Sequence, residues 1–126
     1  MNTKLLMITS AFLLGLVGIT LSFLPQEVAK YFSLPEGSSI VLQLCGALYL
    51  GFAILNWMAK ENLIGGIYSK PVAVANFGHF LVAGIALLKY NHTGISYIGI
   101  AAVIYLMFAL FFGYISGKTF IDSVKA

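Results

Sequence analysis

Four side chains able to form strong hydrogen bonds interrupt otherwise apolar runs of the chain: Gln43, Asn56, Asn76 and His79. A polar group at such a position carries a desolvation cost unless it finds a partner, so these are the places where a pocket, a gate or an interhelical tie is expected. His79 is the one of the four whose ordinary pKa lies near neutrality. Asn76 and His79 are three residues apart and share a helix face. Counted inward from the ends of their helices by helical rise, Asn56 and Asn76 lie about 5 to 8 Å deep and His79 about 12 Å deep, so a cluster of Asn56, Asn76 and His79 is feasible. Gln43, about 20 Å from Asn56 along its helix, cannot join it. The cluster has two readings: the floor of a ligand pocket or proton-sensitive gate, and glue that sets helix register.

Other chemistry fails on count or spacing. The histidines are His79 and His92, about 20 Å apart along the chain by helical rise, so one copy cannot place both on a metal; a haem would need two copies of His79. Ser10 and Ser22 have no histidine at their depth, and Cys45 falls near the opposite face from His79, so no nucleophile meets a base. The stretch Gly65-Gly66-Ile67-Tyr68-Ser69-Lys70 lacks phosphate-loop spacing and reads as a tight turn, with Lys70 at anionic headgroups. No catalytic residue, metal site or cofactor is expected.

The elements that must position these groups follow from the charges. The charged residues stand at positions 4, 27, 30, 36, 60, 61, 70, 89, 118, 122 and 125, leaving long uncharged gaps. A helix needs roughly 20 apolar residues to cross a hydrocarbon core, and four gaps reach about that length. The fold class expected is all-α, a four-transmembrane-helix bundle with short loops, with helices over about 5–24, 39–59, 71–88 and 94–116. Its connections are too short to fold separately, so residues 1–126 form a single integral membrane domain. The first apolar run exceeds the 7 to 15 residues of a signal-peptide core and no small-x-small cleavage site follows, so it reads as a retained helix. Pro25 stops it. Pro25 to Phe32 reads either as a short amphipathic turn at the headgroup layer or as an ordinary capping loop. A serine N-cap is expected near Ser39, and Pro71 opens the third helix, where its missing N–H costs nothing.

Composition sets the class. Hydrophobic residues make up 60% of the chain, charged residues 9%, and mean hydropathy is +0.98, far from the balance of a soluble domain. The net charge of +3 comes from scattered lysines with no arginine, which excludes a nucleic-acid surface. Lys4, Lys60, Lys70, Lys118 and Lys125 fall on one side of the membrane against Lys30 and Lys89 on the other, so both termini are expected in the cytoplasm. Tyr31, Tyr90 and Tyr97 mark one interface, and Trp57, Tyr68 and Tyr114 the other. The Asn91-His92-Thr93 sequon sits in too short a loop to be used. Cys45 has no intrachain partner and reads as a packing residue.

Lipid removes the hydrophobic drive between helices, so association depends on small residues that let backbones approach. Helix 1 carries Ala11, Gly15, Gly18 and Ser22; helix 2 carries Ala47 and Gly51; helix 4 carries Ala109, Gly113 and Gly117. These faces serve packing within the bundle, a homo-oligomer or another membrane subunit. Tyr49, Phe52, Phe77, Phe80 and Tyr105, with Phe108, form a candidate slot for a lipid or quinone-like molecule.

Leu24-Pro25, then Leu42-Gln43-Leu44-Cys45-Gly46-Ala47-Leu48-Tyr49-Leu50-Gly51, Asn56-Trp57 and Gly65-Gly66-Ile67-Tyr68-Ser69-Lys70-Pro71, resembles small bacterial four-helix membrane proteins similar to the DoxX-like group. The resemblance spans most of the chain and implies the fold and a bacterial inner (cytoplasmic) membrane. The function expected is that of a non-enzymatic multi-pass membrane protein binding an apolar ligand or a membrane protein partner. A small transporter or channel component is the alternative, and a membrane-embedded enzyme the third.

Overall fold

A computed structural model describes residues 2–62, 64, 69–91 and 96–125. Among them the chain is helical, with five helices and no strand. It divides into two compact units, Met1–Glu61 and Asn62–Ala126.

The first unit holds α1 (Thr3–Phe23), α2 (Pro25–Tyr31) and α3 (Ser38–Ala59). α1 starts where the Asn2 side chain accepts from the Leu5 N–H at 3.2 Å, satisfying one of the donors a helix start leaves bare. It ends at Leu24, which leaves the helical region (φ −124°, ψ 41°), and Pro25 then opens α2. The segment read as an amphipathic turn or capping loop is thus a seven-residue helix. Its end is closed by two bonds, Leu34 N–H to the Ala29 carbonyl and Ser33 N–H to the Lys30 carbonyl, with Ser33 at φ 52° in the left-handed position usually taken by glycine. The serine N-cap expected near Ser39 is not used. Gly37, at φ 87°, turns the chain into α3, so Ser38 is already helical and its hydroxyl donates back to the Pro35 carbonyl at 2.7 Å.

α1 and α3 pack antiparallel, since rising positions on α1 meet falling positions on α3: Ser10 with Asn56, Gly15 with Ala53, Gly18 with Leu50, Ser22 with Gly46. Contact is closest at the glycines. A Cβ on Gly18 would stand 2.8 Å from the Leu50 backbone nitrogen, and one on Gly46 would stand 2.8 Å from that of Ser22 and overlap the Ser22 hydroxyl. The small-residue face expected on α1 is the one used. On α3 the expected pair is not: Ala47 is exposed and a Cβ on Gly51 would meet nothing within 4 Å. The reason is rotation about the helix axis. Asn56 must face inward, and positions 46, 49, 53 and 56 form the stripe beneath it, about 100° around the axis from Ala47.

The second unit is a hairpin of α4 (Lys70–Tyr90) and α5 (Ser96–Lys125). Pro71 lies in the first turn of α4, as expected. The pairing is again antiparallel, from Lys70 over Phe120, through Phe77 against Gly113 and Leu106 against Gly84, to Asn91 beside Gly99. Ala109 and Gly113 lie on the packed face, whereas a Cβ on Gly117 would meet nothing within 4 Å. α5 continues to Lys125 rather than ending near residue 116. Nothing after Gly117 breaks a helix, and Lys118, Asp122 and Lys125 fall on one face at spacings of four and three.

α1, α3, α4 and the Tyr97–Asp122 stretch of α5 are each long and apolar enough to cross a membrane.

Candidate functional site

Asn56 belongs to the first unit, and Asn76 and His79 belong to the second. Asn56 is fully buried, and its side-chain Nδ2 donates to the Ser10 hydroxyl at 3.0 Å. Ser10, also fully buried, donates in turn to the Met7 carbonyl at 3.0 Å. This chain of bonds crosses from α3 to α1 and ends on backbone. Ser10 is the partner that sequence reasoning missed. The signal was available: in an antiparallel pair, Ser10 near the start of α1 and Asn56 near the end of α3 lie at matching depth. Bonds of this kind between apolar helices are worth about 0.6 to 2 kcal/mol. A double-mutant cycle on Ser10→Ala and Asn56→Ala, read by unfolding in detergent, is expected to give a coupling in that range; additive losses would show that the bond contributes nothing.

Asn76 is fully buried on α4, and its Nδ2 donates to the Val72 carbonyl one turn earlier at 2.9 Å. His79 is half-buried, its ring centroid 5.3 Å from Phe80 and 6.1 Å from Tyr105. Gln43 is exposed on α3. Of the aromatic positions, Tyr49 and Phe52 are half-buried in the first unit, and Phe77, Phe80 and Tyr105 belong to the second. There the rings pack on one another. Phe80 is fully buried, parallel to Phe108 at 4.8 Å and to Phe112 at 5.8 Å, and edge-on to Tyr105 at 5.3 Å.

An open apolar groove of about 420 Å³ runs along α1 and α3 in the first unit. Ala11, Gly15 and Ala53 form its floor, and Phe12, Leu16 and Ile19 stand on the α1 side. Ile54 and Trp57 complete it on α3, with Trp57 edge-on to Phe12 at 6.0 Å. The groove exists because small residues bring the helices close while their large neighbours splay outward. At its Trp57 end the Lys60 ammonium donates to the Trp57 carbonyl at 3.1 Å and stands 3.9 Å from the indole centroid, a cation–π contact.

At the same end of the α1–α3 pair, the Lys4 ammonium donates to Glu61 Oε2 at 3.0 Å and lies 2.9 Å from Oε1. That hydrogen bond holds the Glu61 carboxyl below the ordinary glutamate value. Both side chains are exposed, so the pair orients the helix ends more than it stabilises them. A carboxyl with a lowered pKa favours the fold only while ionised. Its contribution is therefore complete above the unfolded-state pKa and disappears as pH falls through the folded one. Carbon-13 NMR of the Glu61 carboxyl should show a midpoint that rises in Lys4→Gln; equal midpoints in the two proteins would refute the pairing.

Asn91 of the sequon lies with its side-chain amide against α5 at Gly99, while His92 and Thr93 fall outside the described residues. So do Gly65, Gly66, Ile67 and Tyr68 of the tight turn and Gly94 of the expected helix 4 start. Among the described residues no group of three His, Cys, Asp or Glu side chains could hold a metal ion. No family model matches this chain, and no curated protein or solved structure matches it either.

Proposed function

We propose that the chain is a non-enzymatic multi-pass membrane protein, a four-helix bundle that binds an apolar ligand or a membrane protein partner. The observation that carries this reading is the open groove on α1 and α3, with its floor of small residues and walls of large apolar ones. The outward face of α1 supports a lipid setting, because Leu5, Phe12, Leu16, Ile19 and Phe23 are all exposed while Ser10, Ala11 and Gly18 are buried. Leu6, Met7 and Leu14 are buried beside them, yet the exposed side still carries a continuous row of large apolar side chains, which suits hydrocarbon as the surrounding solvent.

The lysine distribution supports both termini in the cytoplasm, and the resemblance to DoxX-like proteins supports a bacterial inner membrane. The interhelical bond from Asn56 to Ser10 favours the role of packing glue for that amide over a polar path. Native mass spectrometry of the detergent-purified protein is expected to show a retained apolar molecule or a partner chain. A bare monomer under conditions that preserve other lipid-binding proteins would sink the reading.

A further inference from the structure

The groove on α1 and α3 specifies its occupant by shape and by the charge at one end. From Ala11 to Ile19 it extends about 12 Å along the helix axis, the reach of a partly extended hydrocarbon chain. Its volume of about 420 Å³ would hold roughly 14 methylene groups, taking each as close in size to a water molecule, about 30 Å³. That is most of one acyl chain. A flat ring system fits less well, since Gly15 and Ala53 make a furrow between two helices rather than a slot between aromatic faces. An unfilled furrow would forfeit its dispersion contacts, and water gains little there because the lining is almost wholly apolar.

The charged end lies where a phospholipid has its phosphate. Trp57 is near the end of α3, the depth at which indoles sit in the interfacial layer, and the Lys60 ammonium is fixed on it at 3.9 Å. The carbonyl of Trp57 takes one ammonium proton and leaves two for an external acceptor. Lys4 and Glu61 offset each other beside it, so the net charge of this end is that of Lys60, positive.

We propose that the groove binds one anionic glycerophospholipid of the surrounding bilayer, an acyl chain lying on Gly15 and Ala53 and the phosphate held by Lys60. This inference rests on the reading of the protein as a binder of apolar ligands, and it names the class of ligand.

The test uses the full chain in mixed micelles holding equal amounts of phosphatidylglycerol and phosphatidylcholine, with bound lipid counted by native mass spectrometry. Wild type should retain one phosphatidylglycerol in about fivefold preference, the factor a single lysine contributes at an anionic surface. Lys60→Gln should bind the two lipids equally. Leu16→Trp and Ile54→Trp, which fill the groove from exposed positions and leave the helix contact at Gly46 untouched, should retain neither. Equal retention of both lipids by wild type, or undiminished retention by the filled variants, overturns the proposal. So does a dimer that excludes lipid, or a neutral lipid held in place of the anionic one, although either would leave the broader binding reading intact. A bare wild-type monomer overturns both.

Discussion

Gly46→Ala is expected to destabilise the first unit by about 1–3 kcal/mol, the range for forcing a methyl group into a packed contact, and Gly46→Leu to prevent α1 and α3 from pairing. The cause is backbone proximity. The new Cβ would lie 2.8 Å from the Ser22 backbone nitrogen and against the Ser22 hydroxyl, and it would also stand 3.0 Å from the Gly18 carbonyl oxygen. A side chain can rotate away from such a clash, but a helix backbone cannot move without shifting the whole element. The matched control is Gly51→Ala, five residues on in the same helix, where the added carbon meets nothing within 4 Å. There the greater helix propensity of alanine should make the protein more stable by up to about 1 kcal/mol. Trp57, the chain's only tryptophan, sits on α3 and reports unfolding of the first unit by fluorescence during titration with a denaturing detergent. If Gly46→Ala and Gly51→Ala unfold at the same detergent fraction, the close approach at Gly46 is wrong.

The second large effect belongs to Phe80. Its ring is fully buried, parallel to Phe108 and Phe112 and edge-on to Tyr105, so it ties one face of α4 to two turns of α5. Phe80→Ala removes the centre of that stack and should cost about 3 kcal/mol, at the low end of the usual range for a buried phenylalanine. The low end applies on the proposed membrane setting, in which an apolar solvent returns little transfer free energy. What is lost is mainly dispersion and ring–ring contact across the cavity left behind. Phe111→Ala, on the outward side of α5 with 43% of its surface exposed, should change stability by less than about 0.5 kcal/mol. Thermal unfolding followed by circular dichroism separates the two. Similar midpoints for both variants would show that the aromatic stack does not hold the hairpin.

Several features of the fold were legible in the residues themselves. The spacing of the charged side chains marked four apolar helices to within a few residues at most ends, because length and composition are properties of each segment alone. Pro25 and Pro71 placed a helix stop and a helix start for the same reason, since a missing N–H acts locally. The far end of α5 was not legible, because loss of hydrophobicity marks where a membrane would end rather than where a helix does. Gly37 also displaced the expected serine cap, as its left-handed conformation left Ser38 already inside α3.

Which faces meet was harder to read. The stripe of Ala11, Gly15, Gly18 and Ser22 on α1 was correctly picked as a contact face, yet on α3 the pair Ala47 and Gly51 points outward while Gly46 and Ala53 point in. Small residues occur at almost every angle around that helix, so spacing alone could not choose among them. Ser10 escaped notice because its role depends on a residue 46 positions away. The groove, with Lys60 over Trp57 at its mouth, has no signature along the chain at all.

The sequence by itself determined that this protein is helical, that four of its helices are long and apolar enough to cross a membrane, and which few polar side chains lie within them. Only the tertiary structure decided which glycines touch, which amide meets which hydroxyl, and where an apolar furrow stays open. Those outcomes depend on the rotation and antiparallel register of one helix against another, set by the sum of many small contacts rather than by any one segment's composition.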